Sequence, residues 1–387
     1  MKIIESFFGK ERKELEKFNK LDLDERSIVF YSENSVLLYP YVEQIIKELE
    51  KRDQKICYVT SSKDDPIFKN ENKKIKSFYI GDGSVKYKFF WELKAKVIIM
   101  TMPDLENYWI KRSIVFPVHY IYIFHSMNST HMAFQKEAFD RFNTIFCVGQ
   151  YQIQEIRATE QLYNLKQKNL VEYGYGLLDK LLKSRPSHSQ QNFLSKNNKK
   201  KILIAPSWGK QNLLESTGIE LIKILLDAGY HVTVRPHPMT IKKSKKVIQK
   251  IEKEFKDNLN FKLETDIRNM ESFFLCDCMI SDLSGAAIEY SFTFEKPILY
   301  IVTPEKIVQE KQIDLVSLEE KIRPQIGEVI TLSQLSLLPS KINQFLLSQN
   351  KFKEKIKKIR EETVFNIGNS ADQGAKYLLE LKKSLES

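Results

Sequence analysis

Cysteine is scarce, with only Cys57, Cys147, Cys276 and Cys278 in 387 residues. Four widely scattered thiols exclude a disulfide framework. The Cys276–Cys278 pair has no second Cys pair and no neighbouring His to complete a zinc site. Cys147 lies in the apolar run IFCV and reads as a buried thiol. Together these point to a reducing, cytosolic compartment. Thirteen Gly and twelve Pro exclude a collagen-like or low-complexity chain. A secretory leader is not expected, because Lys2, Lys10, Glu11 and Arg12 interrupt any apolar core near the start. A membrane span is also excluded. Residues 113–135 carry no Lys, Arg, Asp or Glu, but Pro117, His119, His125, Asn128, Ser129 and His131 fall among them. A spanning helix needs about 20 mostly apolar residues. The stretch therefore predicts a buried strand followed by an uncharged loop.

What is present is apolar and basic. Hydrophobic residues make up 42% and aromatics 11%, which excludes disorder as the dominant state. At roughly 100–200 residues per domain, the length suggests two or three domains. Lys and Arg number 61 against 50 Asp and Glu, a net charge of +11. That excess favours an anionic partner without choosing among a phosphorylated metabolite, a lipid surface and nucleic acid.

Short continuous apolar runs alternate with amphipathic stretches. Strands are predicted at 27–33, 55–61, 76–81, 96–102, 118–126, 144–149 and 170–176, with a helix at 41–51 carrying Val42, Ile45, Ile46 and Leu49 at spacings of three and four. The opening 5–25 predicts a surface helix with Phe7, Leu15 and Phe18 as sparse apolar points. A polar stretch, 184–200, reads as a linker. Beyond it strands are predicted at 201–209, 230–238, 260–265, 277–285, 296–301 and 328–332, with helices at 219–228 and from 285 through Phe292. Continuous runs mark strands covered on both faces, hence parallel sheets flanked by helices. The expectation is α/β: two Rossmann-type domains with parallel sheets facing a central cleft. Their bounds are 1–183 on the acceptor side and 201–343 on the donor side, followed by a basic helical tail at 344–387. A turn at Asn366–Asp372, with Gly368 as breaker and Ser370 as N-cap, precedes a last helix.

Ligands of open α/β sheets bind at the carboxyl ends of strands, and four strand ends carry suitable groups. His125, Ser126, Asn128, Ser129 and His131 offer a base near neutral pH in an uncharged loop. Arg235-Pro236-His237-Pro238 offers a forked cation and a second donor for a diphosphate; alone it would pass for a Pro-rich turn. In Ser281-Asp282-Leu283-Ser284-Gly285-Ala286, the amides of Ser284–Ala286 would lie at the positive end of a helix. Glu289, read as facing the same way as Asp282, could accept from a ribose. Ser207, Trp208 and Gly209 complete the set, Trp208 as a base-stacking platform or, more simply, as packing. Three of these loops suit a nucleoside diphosphate and the first supplies a base.

These motifs resemble the CDP-glycerol:poly(glycerophosphate) glycerophosphotransferases, the teichoic-acid primases and polymerases. The resemblance covers about residues 90–300 and is firmest over RPHP at 235–238 and SDLSGAAIEYSFTFEKPILYI at 281–301. It implies a GT-B-like fold whose final helix crosses back to the first domain. It implies His125 as the base, matching the family's His-Gly loop, and His237, Ser281, Ser284 and Gly285 as holders of the donor diphosphate. The chain departs from the family pattern at Ser126 in place of Gly, at Gly285 in place of a second Ser, and at Glu289 where Asp is frequent. The implied donor is CDP-glycerol or another nucleotide-activated unit, and the implied acceptor is lipid-linked or a glycan. No cofactor or metal is required, since no DxD-type loop stands at these strand ends, and a divalent ion is not predicted. The implied place is cytoplasmic, with the inner membrane face and its anionic lipids as a candidate contact through the Lys351–Arg360 tail. Rivals are a glycosyltransferase using CMP-Kdo or a UDP- or GDP-sugar, a sugar-nucleotide epimerase, and an anionic-surface binder. Nucleic acid is not expected, because the Lys clusters lack interleaved aromatics apart from Phe352.

Overall fold

The computed structural model describes residues 2–34, 38–185, 199–266, 270–303, 313–348 and 350–386, with side chains from residue 9 onward. The first half forms a seven-stranded sheet. Its strands are β1 (Ile28–Ser32), β2 (Ile56–Thr60), β3 (Ile75–Tyr79), β4 (Val97–Met100), β5 (His119–Ile123), β6 (Thr144–Cys147) and β7 (Asn169–Glu172). All pair in parallel in the order β3-β2-β1-β4-β5-β6-β7. The second half repeats the plan with β8 (Lys201–Ile204), β9 (His231–Val234), β10 (Phe261–Leu263), β11 (Cys278–Ser281), β12 (Ile298–Val302) and β13 (Gly327–Thr331). Their order is β10-β9-β8-β11-β12-β13, again all parallel. The expected two Rossmann-type sheets are therefore present, and all four cysteines are buried and free.

The continuous apolar runs follow from burial on both faces. β1, β2, β4, β6 and β11 are buried at every position, whereas the edge strands β7 and β10 are not. Each sheet reverses its strand order once, between β1 and β4 and between β8 and β11. The loops leaving those strands open at a crevice.

Two expectations about helix placement need correction. The opening helix spans Lys2–Asn19 and is not merely superficial: Phe18 is fully buried, edge-on to Phe78 at 5.5 Å and to Phe89 at 5.4 Å. The helix expected at 219–228 begins six residues earlier, at Leu213, because Leu213, Leu214, Leu221, Ile222 and Leu225 share one buried face. The expected linker is entered by the helix Gly176–Ser184, and residues 186–198 of it lie outside the described residues. No helix among the described residues is long and apolar enough to cross a membrane.

The tail ties the two halves together. The helix Asn350–Thr363 lies against the second half, where Arg360 donates to the Phe292 carbonyl at 2.5 Å and pairs with Glu295 at 3.1 Å. The chain then crosses the cleft. Phe365 N–H donates to the Val148 carbonyl at 2.9 Å, and a Cβ on Gly149 would overlap the Thr363 carbonyl oxygen. The last helix, Ser370–Ser384, buries Ala375 and Leu378 among Val42, Ile45, Ile46 and Leu49 of the first half. Its cap is not the Ser370 side chain expected from sequence. The cap position is Asn369, which makes no side-chain bond, and buried Asp179 accepts instead from Gly368 N (2.6 Å), Ser370 N (3.1 Å) and Ser370 Oγ (2.5 Å). A remote carboxylate thus satisfies donors that a helix start leaves open.

Asp179→Ala strips acceptors from several buried donors, each costing about 1–3 kcal/mol when left unpaired. We expect urea denaturation to show a loss of about 3 kcal/mol, with Asp179→Asn losing less. An unchanged midpoint would remove Asp179 from the account of how the last helix is held.

Candidate active site

On the second sheet, the loops after β8, β9 and β11 converge at the strand-order reversal. Asp282 is buried, and its carboxylate accepts from Ser207 N at 2.6 Å and from Leu213 N at 3.3 Å. It therefore fastens the loop after β8 to the one after β11. Burial raises its carboxyl above the ordinary range. Inside that clamped loop Asn212 donates to Ser207 Oγ, and Gly209 takes φ 138°. Ser281 is also buried, its hydroxyl donating to the Ala205 carbonyl at 2.7 Å. Asp282 and Ser281 thus serve the frame of the crevice, and Asp282 does not share a helix face with Glu289 as the sequence suggested.

Arg235 is likewise engaged. Its guanidinium pairs with buried Glu264, lies 5.0 Å over the Phe273 ring and meets Met270 Sδ at 3.7 Å. His237 is the N-cap of the helix Pro238–Lys243, and its Nδ1 accepts from Met239 N at 3.0 Å. That bond fixes the tautomer, leaving the proton on Nε2 as a donor. Trp208 stacks on the His237 ring at 6.2 Å, with Lys243 Nζ 4.8 Å from the indole. Trp208 thus orients His237.

The helix Gly285–Phe294 starts here, with Ser284 as its N-cap residue and no side-chain cap. Its first amides, including that of half-buried Ala286, form the positive end of a ten-residue helix. The loop after β5 meets it from the other half. A Cβ on Gly285 would lie 2.6 Å from Asn128 Oδ1 and 3.3 Å from Ser126 Cβ. Without a Cβ, Gly285 lets the Asn128 carboxamide and the Ser126 side chain lie against the start of the helix. Asn128 Oδ1 is itself buried with no hydrogen-bond partner among the described residues.

That loop is held from both sides. Gln152 Nε2 donates to the Asn128 carbonyl at 3.2 Å while Gln152 Oε1 accepts from Val148 N at 2.8 Å. Ser129 N donates to Glu319 Oε1 at 3.0 Å, and Ser129 Oγ accepts from Leu318 N at 2.7 Å, across the cleft. Ser129 is therefore a bolt between halves. His131 turns away toward Glu155, 3.5 Å distant. Burial alone would lower its proton affinity, but the Glu155 carboxylate, with Glu319 and Glu320, raises it instead. Glu155 also caps the turn Thr130–Ala133 through Thr130 N at 2.6 Å. Of the five residues expected on the acceptor side, His125, Ser126 and Asn128 face the crevice, whereas Ser129 and His131 serve the loop.

His125 is half-buried, edge-on to Tyr41 at 6.2 Å and to Phe134 at 6.3 Å, and its Nδ1 is buried without a hydrogen-bond partner among the described residues. Desolvation pushes its pKa down to about 4, so the ring is neutral at pH 7. Tyr41 leads to Tyr175, 6.1 Å away, and the Tyr175 hydroxyl donates to Glu289 Oε1 at 2.6 Å across the cleft. Burial raises Glu289 to about 7, opposed by the Tyr175 bond and by Arg235. Sequence reasoning missed Tyr41, Tyr175, Gln152, Glu155, Glu264 and Glu319. Tyr41 opened a predicted helix and Tyr175 closed a predicted strand, so periodicity absorbed both. Among the described residues no three His, Cys, Asp or Glu side chains converge as a metal centre.

Solved structures share the architecture. The wall teichoic acid polymerase TagF, as an H444N variant with CDPG, superposes with a TM-score of 0.60 at 14% identity, covering 100% of this chain and 96% of that one. A UDP-GlcNAc 2-epimerase of Methanocaldococcus jannaschii, bound to UDP-GlcNAc and UDP, gives 0.57 at 12% identity over 91% and 99%. A putative UDP-N-acetylglucosamine 2-epimerase of Listeria monocytogenes gives 0.58 at 11% over 93% and 97%. At these identities the likeness speaks to the GT-B-type fold. No curated protein matches the chain in sequence. The family model described as CDP-Glycerol:Poly(glycerophosphate) glycerophosphotransferase matches residues 15–322, most of the chain including every strand end described above. The chain belongs to that family, and it is a transferase of the glycerophosphotransferase kind.

Proposed function

We propose that the protein transfers a glycerol-phosphate or related polyol-phosphate unit from a CDP-activated donor to a hydroxyl of a lipid-linked or glycan acceptor, working in the cytoplasm at the inner membrane face. The observation that carries this reading is the contact of the His125 loop with the N-terminus of the helix Gly285–Phe294, where the Asn128 and Ser126 side chains lie against Gly285. On this reading a neutral imidazole and a helix-end anion site serve one crevice.

The donor diphosphate lies at the Ser284–Ala286 amides, with His237 Nε2–H as a further donor. The acceptor hydroxyl loses its proton to His125 as its oxygen bonds to the β-phosphorus. The bond from that phosphorus to the CMP oxygen breaks in line, and CMP departs with the electron pair. Desolvated as it is, His125 is a weak base. The arriving phosphates raise its proton affinity, so the base strengthens once the donor is in place. Asn128 stands between base and helix end. Its carboxamide reverses by a half-turn of χ2, presenting N–H groups to the phosphoryl oxygens as charge grows on them. Arg235, pinned by Glu264, contributes field rather than a forked contact. Ser207, Trp208 and Gly209 shape the donor wall, and Glu289 with Tyr175 closes its floor.

Three outcomes follow. CMP release from CDP-glycerol should require an acceptor and should fall by about 10²–10³ in His125→Ala and His237→Ala. Release from CMP-Kdo or a UDP-sugar alone would discard the donor, and acceptor-free release of UDP would favour an epimerase.

Asn128→Ala should lower kcat about tenfold, while Asn128→Asp, equal in size but anionic, should lower it about 10²–10³. Equal losses in both would reduce Asn128 to packing.

Glu289 holds its proton more tightly in the folded state. Between pH 4.5 and 7 the native state therefore binds more protons than the unfolded one, and stability falls as pH rises. Glu289→Gln removes this effect, which is at most about 3 kcal/mol at 1.36 kcal/mol per pH unit. The Tm advantage of the variant over the parent should grow from pH 5 to pH 8. A constant difference would mean that Glu289 is ionised throughout.

A further inference from the structure

Between β4 and β5 the first sheet is covered by residues 101–118, which form no helix. This segment leaves large apolar side chains in water. Trp109 is 75% exposed, Ile114 80%, Tyr108 58% and Val115 47%, and Trp91, near the end of the helix Ser84–Glu92, is 48% exposed. They form one patch. Ile114 N–H donates to the Trp91 carbonyl at 3.1 Å, Val115 N–H donates to Ser113 Oγ at 3.3 Å, and the Trp109 ring lies 6.3 Å from Tyr87. Two of the chain's three tryptophans are in it.

The display is built rather than frayed. Leu105 and Ile110 anchor the segment in the core. Arg112 donates to the Arg141 carbonyl (2.6 Å), Asn143 Oδ1 (3.1 Å) and the Val118 carbonyl (3.1 Å), with its guanidinium 4.4 Å from the Tyr120 ring centre. Soluble monomers rarely hold so many large apolar side chains in water together unless something covers them.

We propose that this patch docks the protein on an anionic bilayer. Its chemistry is that of a membrane interface, where Trp and Tyr sit at headgroup depth and cations meet acidic lipid. Residues 84–118 carry six Lys and Arg against three Asp and Glu; Lys86 and Lys96 are paired with Asp82 and Glu386, while Lys94 and Lys88, the latter 3.8 Å from Glu92, stand exposed beside Trp91. A second copy of the chain fits less well, because a two-fold contact would set the same cations against each other. The inference relocates the membrane contact from the Lys351–Arg360 tail. In the helix Asn350–Thr363, Ile356 and Ile359 point inward, and although Leu347 stands exposed just before it, no aromatic cluster accompanies its lysines. The surface rests on the proposed function for its purpose, bringing the crevice to a lipid-linked acceptor.

The test is co-sedimentation of the full chain with phosphatidylcholine vesicles, with and without phosphatidylglycerol. It compares the parent with Trp91→Ser/Trp109→Ser and with Lys353→Ser/Lys355→Ser/Lys357→Ser. We expect binding to the anionic vesicles, at least about tenfold weaker in the tryptophan pair and within about twofold of the parent in the tail variant. Brominated lipid should quench the parent's tryptophan emission. Loss of binding in the tail variant alone would overturn the proposal. So would a parent that ignores vesicles but dimerises through the tryptophans. CMP release with a water-soluble acceptor should be unchanged in the tryptophan pair. If the parent releases no CMP yet still binds vesicles through the patch, the transfer reading fails and the docking surface stands.

Discussion

Everything in the crevice depends on how closely the Asn128 and Ser126 side chains approach the backbone at Gly285. The loop after β5 and the start of the helix Gly285–Phe294 belong to different sheets, and they meet where a single methyl group would collide with Asn128. Around that point the halves are bolted by Ser129 to Leu318 and Glu319, and by Tyr175 to Glu289. The last helix, returning across the cleft to Asp179, closes the arrangement from behind. On the proposed reading this holds the His125 loop against the helix start, the kind of arrangement that transfer between two bound molecules needs.

The polar groups divide into those that hold the frame and those that face the crevice. Asp282, Ser281, Arg235, Ser129 and His131 all looked like ligand contacts. The first four are hydrogen-bonded to neighbours, Ser207 and Leu213, Ala205, Glu264 and Leu318 respectively, and His131 Nδ1, which makes no hydrogen bond among the described residues, lies 3.5 Å from the Glu155 carboxylate. Buried polar groups must be paired, and the residues that pair loops to loops are the same types that bind phosphates. His125, Asn128 and Glu289 differ in kind. His125 Nδ1 and Asn128 Oδ1 are buried without hydrogen-bond partners among the described residues, and the proton affinity of Glu289 is raised by burial. Groups left costly in this way at a crevice are where chemistry is expected.

This division also marks what was legible in the sequence. Strands buried on both faces announce themselves as continuous apolar runs, so both sheets could be read from β1 to β13. The strand ends could then be located, and with them His125, His237 and the helix start at Gly285. Which side chains served the frame was not legible, because Glu264, Glu155, Glu319 and Gln152 lie far in sequence from the residues they hold. Tyr41 and Tyr175 were hidden for a related reason: an aromatic in an apolar run reads as core until a carboxylate from the other half is found against it. The surface at Trp91 and Trp109 was also invisible, since exposure, not composition, sets it apart.

Hydrogen exchange of the amides, with and without CDP-glycerol, would test the central arrangement most directly. Donor binding should slow exchange at residues 284–287, at 237–239 and, across the cleft, at 126–129. Protection confined to one half, or absent from the start of the helix Gly285–Phe294, would contradict a diphosphate held between the His125 loop and that helix.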